Sequence, residues 1–312
     1  MNSGLLCVGL TTLDIAGRPI DAIPAGASLI EGVALSPAGT AGGTALIAAA
    51  LGVRTALASA IGDDGAGRFV RSELEAKGVD TRFLATLPRM RTSTTILAIR
   101  SDGERPLFHA PGASQFARID SETFAAAQTS KFVHWAGIGG RYLDGGPAAD
   151  LLAAAKTAGA TVTCDLIGPG KHTMAELERV LPHVDFFMPN MDEALLLAET
   201  DVPQKAAERF FAMGAETCIL KWGRRGAMGI ARDRRFDIPA HEIQPVDTTS
   251  CGDSFCAGFI AALDRGHDIR DACRFASATA ALVAQDLGTL GKLADYETTS
   301  RYMTETPLRS AI

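Results

Sequence analysis

Short apolar runs alternate with amphipathic stretches along most of the chain. Runs typical of buried strands lie at 5–10, 53–61, 132–138, 161–166, 186–189 and 217–222. From about residue 120 they alternate with helical patterns near 147–158, 174–182, 191–198 and 203–213. Strands separated by helices pair in parallel through right-handed crossovers. The pattern therefore predicts an α/β fold built on a mostly parallel sheet.

Two segments interrupt this alternation, at about 15–38 and 90–112. Each has alternating apolar positions and turn signals, such as Ser101-Asp102-Gly103-Glu104. Because both segments are too short to bury a core of their own, we expect them to form a small sheet that projects from the main body. No Pro- or Ser-rich linker divides the chain, so we expect a single domain over residues 1–312.

Composition narrows the class of protein. The 312 residues are 47% hydrophobic and 21% charged, with a net charge of −6 and a pI of about 5.6. This balance indicates a globular protein and argues against a nucleic-acid partner. No apolar run reaches the ~20 residues of a membrane helix, and Met1 to Gly4 lack the basic region of a signal peptide. The six cysteines have no metal-binding spacing, which favours free thiols in a reducing cytoplasm.

The segment with the clearest candidate chemistry is Asp247-Thr248-Thr249-Ser250-Cys251-Gly252-Asp253. It follows a strand-like segment, His241 to Val246, and precedes an apolar helical run, Phe255 to Leu263. Small residues at a helix start leave backbone N–H groups free to hold an anion. Asp253 lies next to this anion-binding helix start. A carboxylate there could act as a base and take a proton from a hydroxyl while the helix start holds a phosphoryl group. An ordinary capped helix, with Asp253 as a first-turn acid, is the alternative.

This stretch resembles the C-terminal signature Asp-Thr-x-Gly-Ala-Gly-Asp of the ribokinase-like (PfkB) carbohydrate kinases. Four positions match, Asp247, Thr248, Gly252 and Asp253, while Ser250 and Cys251 replace the usual Gly and Ala. The resemblance implies a three-layer sandwich with a small β-sheet lid over the sugar, often a dimer interface. It also implies that Asp253 is the catalytic base and that the N–H groups of 250–252 stabilise the transferred phosphoryl group. Asp247 would then organise the site, near K⁺ as in some relatives.

Two further matches lie in the first third of the chain. Asp14 follows the first strand, and in the family an Asp at this place binds sugar hydroxyls, although a plain turn residue is the commoner case. Gly42 and Gly43 resemble the start of the family's substrate-contacting signature Gly-Gly-x-x-x-Asn, but Gly pairs are also common in turns. Ile47 then stands where the sugar-binding Asn would be, which leaves the identity of the sugar open.

The metal-binding match is Asn190 and Glu193. They resemble the family's Asn-x-x-Glu motif, which implies Mg²⁺ held partly through water. The same spacing forms an ordinary capping box at a helix start, and on sequence alone that interpretation is favoured.

The nucleotide-binding matches lie later in the chain. Lys221, Gly223 and Gly226 resemble the family's Thr-x-Gly-x-x-Gly turn against the nucleotide phosphates, with Lys in place of Thr. Ser277 lies in a helix predicted from Ile269 to Gln285, and the resemblance places it beside the nucleotide. Tight helix packing is the alternative explanation for its small neighbours.

The order of these matches predicts an ATP-dependent kinase that uses Mg²⁺ and moves the γ-phosphoryl group to a hydroxyl of a sugar or sugar acid. Four arginines, Arg89, Arg91, Arg100 and Arg105, surround the second lid segment. Arg105 is the candidate for binding an acidic sugar, although a solvated lid face is the commoner explanation. A nucleoside kinase of the same family and a non-catalytic sugar or nucleotide sensor remain alternatives. A nicotinamide oxidoreductase is disfavoured because no Gly-x-Gly-x-x-Gly follows the first strand.

Overall fold

All but one of the predicted strands are present in the computed structural model, which describes residues 4–310. In that part of the chain the strands are β1 Leu5–Gly9, β2 Thr12–Arg18, β3 Gly32–Ala38, β4 Thr55–Gly62, β5 Leu84–Leu87, β6 Thr94–Ala98, β7 Leu107–Ala110, β8 Phe132–Ile138, β9 Thr161–Leu166, β10 Phe186–Phe187, β11 Thr217–Lys221, β12 Ala227–Ala231 and β13 Arg235–Ile238. The helices are α1 Thr40–Ala50, α2 Gly65–Ala76, α3 Ser121–Thr129, α4 Ala148–Thr157, α5 Thr173–Val180, α6 Met191–Ala198, α7 Pro203–Ala212, α8 Cys251–Asp264, α9 Ile269–Val283 and α10 Tyr296–Glu305.

Nine strands form the main sheet, in the order β13-β12-β11-β10-β9-β8-β1-β4-β5. Every pair from β11 to β5 is parallel, whereas β12 and β13 add an antiparallel hairpin at one edge. The buried apolar runs of β1, β4 and β8 explain their central places, because a strand covered on both faces has no polar side.

Alternate residues of β1 show how the sheet divides the core. Leu5 and Cys7 pack in a cluster with residues of α1, α2, α8, α9 and α10. Leu6 and Val8 pack in a second cluster with residues of α3, α4, α5, α6 and α7. Helices thus cover both faces of the sheet, which confirms the predicted three-layer α/β fold with a mostly parallel central sheet.

The second sheet has four strands in the order β3-β2-β6-β7, and we call it the lid. Its strands come from the two segments that were predicted to form a small sheet, except that β2 begins at Thr12 rather than near residue 15. All four residues of β7 are exposed, and exposed and half-buried positions alternate through the first five residues of β3. A small second sheet is therefore confirmed. The assignment of a single domain over 1–312 stays a prediction.

The segment before the signature stretch differs from the prediction. His241 to Val246 is not a strand, apart from one bridge between His241 and Leu308. Its backbone instead bonds to other segments, with the Glu242 N–H donating to Pro307 and the Val246 N–H to Ala284. The strand-like pattern was wrong here because these partners lie outside any sheet. Sequence reasoning also omitted the hairpin of β12 and β13.

Two expectations concern the location of the protein, namely that the chain has no signal peptide and no membrane helix. Met1 to Ser3, which carry most of the argument against a signal peptide, lie outside the described residues. Within residues 4–310, no helix combines the length and the apolar composition that crossing a bilayer requires.

Candidate active site

A cavity of about 830 Å³ lies at the carboxyl ends of the central strands, between the main sheet and the lid. Ligands of open α/β sheets bind at this edge. The predicted site residues that line it are Asp14, Arg105, Asn190, Glu193, Lys221, Gly223, Gly226, Ser250, Cys251, Gly252, Asp253 and Ser277. Motif residues that lie far apart in the sequence therefore line one cavity.

The start of α8 can hold an anion. The buried Asp247 carboxylate fixes the preceding turn by accepting the N–H groups of Thr249, at 2.8 Å, and Gly288, at 3.1 Å. Ser250 then takes a left-handed conformation, with φ 56°, and the helix begins at Cys251. Across residues 4–310, no protein acceptor takes a hydrogen bond from the N–H groups of Gly252 or Asp253. These unpaired donors and the helix dipole favour negative charge in the cavity.

Asp253 lies in the first turn of α8, half-buried at the cavity wall. Burial, together with repulsion from the Asp165 and Asp14 carboxylates, raises the pKa of its carboxyl to about 7, against the opposing effect of the Lys221 ammonium. A carboxylate with a pKa near the working pH is suited to accept a proton during a reaction. Its position therefore combines a base with an anion seat.

A buried ion pair lies in the cavity lining. Asp165, at the end of β9, pairs closely with the Nζ of Lys221, the last residue of β11. Burial is the largest single effect and lowers the pKa of Lys221, but the charge and hydrogen bond of Asp165, together with the Cys256 and Asp253 side chains, raise that pKa overall. The Cys256 thiol of α8 lies 3.8 Å from the same Nζ and 3.4 Å from the Asp165 carboxylate. The ammonium is thus charged and fixed against α8.

The lid contributes polar groups to one end of the cavity, which we call the acceptor end. Asp14 on β2 accepts the Thr12 hydroxyl at 2.7 Å, and burial raises the pKa of Asp14. His109 on β7 bonds to Thr95 at 3.1 Å through Nδ1. A carboxylate and an imidazole on one wall suit a hydroxyl-rich molecule, because both can bond to hydroxyl groups.

Arg105, in the loop before β7, joins the lid to the signature stretch. Its Nε donates to the Thr248 hydroxyl at 3.1 Å. The guanidinium has further N–H donors in a planar fork that suits a carboxylate or phosphate. Arg89, Arg91 and Arg100 do not line the cavity. Arg105 is therefore the member of this group placed to contact a bound molecule.

The opposite end of the cavity, which we call the nucleotide end, lies against the hairpin of β11 and β12. Trp222 donates its N–H to Gly226 at 2.7 Å, which closes a tight turn. Gly226 has φ 94°, and a Cβ there would lie 1.9 Å from the Ile238 carbonyl oxygen. Only glycine fits this position. Ser277 of α9 lies across from the turn, with its hydroxyl 3.4 Å from the Pro239 oxygen.

Asn190 and Glu193 form the capping box that sequence alone favoured. The Glu193 N–H donates to Asn190 Oδ1 at 2.8 Å, and the Asn190 N–H donates to Glu193 Oε2 at 3.1 Å. Both residues also line the cavity, and burial followed by the nearby Asp165 charge raises the pKa of Glu193. Capping therefore does not exclude a role toward a ligand.

Oxygen donors at this place fit Mg²⁺ held through water. Asn190 and Glu193 supply an amide oxygen and a carboxylate to the cavity lining. No group of three or more His, Cys, Asp or Glu in the described chain is arranged to hold a metal directly. Mg²⁺ usually keeps several waters and takes one or two carboxylates together with substrate phosphates, so this donor set is compatible with it.

Comparison with known proteins identifies the family. The model of the pfkB family carbohydrate kinases matches residues 2–294, nearly the whole chain. The chain belongs to the pfkB family of carbohydrate kinases. It is accordingly an ATP-dependent carbohydrate kinase, as the signature at Asp253 predicted.

Individual relatives within the family act on different substrates. A nucleoside kinase of Methanothermobacter thermautotrophicus is 29% identical over 265 residues, covering 82% of this chain and 81% of the relative. A 1-phosphofructokinase of Haloferax volcanii is 29% identical over 254 residues, covering 78% and 79%. A ribokinase of Haemophilus influenzae is 25% identical over 268 residues, covering 83% and 84%. Similarity of this degree does not single out one acceptor.

Solved structures share the fold. A ribokinase of Arabidopsis thaliana complexed with ribose and ATP superposes with a TM-score of 0.81 at 22% identity, covering 97% of this chain and 99% of that one. A putative ribokinase II of E. coli in complex with ATP and Mg²⁺ gives 0.83 at 22% identity, with 96% and 99% covered. These neighbours confirm the ribokinase-like architecture of the two sheets and their helices.

Gly42 and Gly43, the predicted substrate-contacting glycines, lie in the first turns of α1. Gly42 and Gly43 are buried and do not line the cavity, whereas Gly39 and Thr40, just before them, do. A Cβ on Gly42 would lie 2.9 Å from the Thr11 hydroxyl oxygen, and one on Gly43 would lie 3.0 Å from Asp253 Oδ2. The pair therefore permits close packing of α1, and Gly43 makes room for the Asp253 side chain, while its contact with the substrate stays a prediction.

Ile47 and Asp247 also lie away from the cavity wall. Ile47 is fully buried in the core between α1 and α8, so its apolar side chain gives no information about the substrate. Both Asp247 oxygens accept backbone N–H groups of the loop and of Gly288. Asp247 thus organises the backbone before α8, and its predicted place near a metal ion stays a prediction.

Among the cavity residues that sequence reasoning did not single out are Asp165, His109 and Gln115. Asp165 carried a signal, because a carboxylate at the carboxyl end of a buried apolar strand is unusual without a partner or a function. Gln115 has a buried Oε1 with no hydrogen-bond partner in the described chain. His109 is exposed in the lid, and Gln115 is half-buried in the loop that follows it. A polar residue is ordinary at such positions, so the sequence does not single them out.

Proposed function

We propose that this kinase transfers the γ-phosphoryl group of ATP to a hydroxyl of a sugar or sugar acid, with Asp253 as the base. The observation that carries the proposal is the position of Asp253 beside the unpaired N–H groups of α8, on a cavity that also contains Asp14. Asp253 would take the hydroxyl proton as the oxygen–phosphorus bond forms and the bond to the ADP leaving group breaks.

The start of α8 would act as the anion hole. The N–H groups of Gly252 and Asp253 have no protein acceptor within residues 4–310, and Ser250 and Cys251 complete the turn. Fixed donors stabilise charge that develops on the transferred group without reorganising. Burial raises the pKa of the Cys251 thiol to about 12, so at neutral pH that thiol adds no negative charge near the hole.

The nucleotide end would hold ATP through the turn at Gly223 and Gly226, with Ser277 beside it. Asn190 and Glu193 would hold Mg²⁺ through water, which fits their oxygen donors in the cavity lining. Mg²⁺ supplies positive charge that neutralises the phosphates. The side chains themselves orient the phosphate chain and keep it in line with the acceptor end.

At the acceptor end, Asp14 would accept hydrogen bonds from hydroxyl groups of the substrate. Arg105 and His109 favour an acceptor that also carries a carboxylate or phosphate. A nucleoside is the second candidate, because Leu10, Leu97 and Leu107 line the same cavity and could contact a base.

The test of this function is a screen of ATP consumption across sugars, sugar acids, sugar phosphates and nucleosides, with Asp253→Asn as the inactive control. We expect turnover with at least one hydroxyl acceptor, and loss of it in the variant. Tight binding of one compound without any turnover would contradict the proposal and favour a sensor.

Two features at the periphery extend the proposal. The lid exposes a row of apolar side chains on one face, Val33, Leu35, Ile96 and Phe108, each at least 50% exposed. We infer that this face pairs two copies of the chain. Light scattering should give a dimer, and Phe108→Glu should weaken it; a monomeric parent protein would contradict the inference.

Dependence on K⁺ is tested by exchanging K⁺ for a bulky organic cation in the assay, and unchanged turnover would exclude it.

A further inference from the structure

The ion pair of Asp165 and Lys221 stands out among the remaining groups. Both side chains are nearly inaccessible, at 5% and 11% exposure, yet both line the cavity. Burying two charges costs desolvation energy that their attraction often fails to recover, so such a pair is weak evidence for stability alone. An explanation in terms of function is therefore worth testing.

The strands explain why the two charges meet. Asp165 and Lys221 lie on β9 and β11, with the two-residue β10 between them. Phe187, the last residue of β10, is level with Cys164 and Cys218. Both charged residues therefore extend beyond the strand that separates them, and their side chains can meet at the edge where the cavity begins.

The ammonium faces the start of α8. Its Nζ lies 3.4 Å from the position that a Cβ on Gly252 would occupy, and Gly252 is one of the residues with an unpaired N–H group. A lysine ammonium has three donors. The Asp165 carboxylate takes one, and Cys256 offers only a long sulfur contact. A donor is left for an anion held at the helix start.

We propose that Lys221 bonds the phosphoryl group during its transfer, and that Asp165 is the positioning residue that holds the ammonium at this point. The inference rests on the proposed function and assigns Lys221 to the transferred group, beyond the binding of ADP. A mobile lysine would lose side-chain freedom on every binding event. The ion pair with Asp165 immobilises the Lys221 side chain before the nucleotide binds, so this entropy is not lost on binding.

The pair also acts on the base. The groups that face Asp253 come from several elements: Asp14 on β2, Asp165 on β9, Lys221 on β11, the Cys7 thiol on β1, and Ser250 and Cys256 around α8. Asp165 raises the pKa of Asp253, and Lys221 lowers it. Removing either member should therefore shift the titration of Asp253, in opposite directions.

The experiment measures nucleotide affinity by calorimetry, with Mg²⁺ and either ADP or the non-hydrolysable analogue AMP-PNP. Lys221→Met should raise the Kd of AMP-PNP about tenfold or more, the scale of one charge-assisted hydrogen bond, and change that of ADP about twofold at most. Asp165→Asn should show the same selectivity with a smaller loss. Lys156→Met, which removes a Lys–Asp pair far from the cavity, is the matched control and should change neither.

A second readout separates positioning from simple destabilisation. A carboxyl NMR titration of Asp253, assigned with Asp253→Asn, should move to higher pH in Lys221→Met and to lower pH in Asp165→Asn. Lys221→Arg keeps the positive charge, so the pKa of Asp253 in this variant should stay near the parent value. This variant replaces Lys221→Met if the latter folds poorly. Equal loss of ADP and AMP-PNP, or no selective loss, would overturn the inference. Turnover retained in Asp253→Asn would instead contradict the proposed base and leave this result standing.

Discussion

The main sheet and the lid both contribute side chains to one cavity, but they hold them in different ways. Asp165 and Lys221 end strands that are buried on both faces, and their charges satisfy each other. His109 lies on a strand whose four residues are all exposed, and Arg105 lies in the loop before it. Packing therefore fixes Asp165 and Lys221 more firmly than His109 and Arg105.

This difference suggests a division of labour. Groups held by buried strands can keep the geometry that phosphoryl transfer needs. Groups on an exposed sheet have few packing constraints, so sequence changes there alter which acceptor fits with little effect on the fold. The relatives agree with such a division, since the family includes a nucleoside kinase and a ribokinase.

The largest expected effect compares one substitution in the two regions. Gly226→Ala in the main-sheet hairpin would put a Cβ 1.9 Å from a carbonyl oxygen, whereas Gly103→Ala in the lid turn, also at positive φ, meets nothing within 4 Å. We expect Gly226→Ala to lower the free energy of unfolding by roughly 3 kcal/mol or more. The lid variant should lose only about 1 kcal/mol. Denaturant melts measure both, and equal losses would contradict the comparison.

A second comparison uses two aspartates with opposite pKa shifts. Asp253 in the cavity has a raised pKa of about 7, so its contribution to stability is present below the unfolded pKa and is lost as pH rises through 7. Asp253→Asn should therefore be more stable than the parent protein at pH 8, by roughly 1 to 3 kcal/mol, with the difference fading toward pH 4. Thermal melts across this pH range measure it.

Asp21, at the edge of the lid, provides the control. Hydrogen bonds from the Ser101 N–H and hydroxyl lower the pKa of Asp21. Its contribution is present above the unfolded pKa and is lost as pH falls through the folded value. Asp21→Asn should therefore cause a small loss of stability at neutral pH that disappears in acid. Parallel pH dependence for the two variants would show that the shifts have been assigned wrongly.

The smallest expected effect concerns the acceptor. Arg105→Ala should raise the KM of an anionic acceptor roughly tenfold, because one exposed charge-assisted contact is lost, with little change in the KM of ATP. Arg100→Ala, in the same loop but away from the cavity wall, is the matched control. A rise in the KM of ATP as large as that of the acceptor would place Arg105 at the nucleotide instead.

Sequence reasoning recovered the elements whose pattern is local. The buried runs of β1, β4, β8 and β9 and the signature at Asp253 were found because each is legible within a short window. The packing of Gly42 against Thr11 and of Gly43 against Asp253 could not be predicted, because each partner lies far away in the sequence. Asp165 was missed because its partner, Lys221, is 56 residues away in the chain. The loop from His241 to Val246 was misassigned because its bonding partners lie outside any sheet.

The account depends most on Asp253 as the base. Asp253→Asn keeps the shape of the side chain and removes its ability to take a proton, while Asp102→Asn in an exposed lid turn is the matched control. With the acceptor that gives the highest turnover, we expect Asp253→Asn to lower kcat by about a hundredfold or more at pH 8, with the Kd of AMP-PNP within about twofold of the parent value. A kcat within a few-fold of the parent enzyme would contradict the assignment.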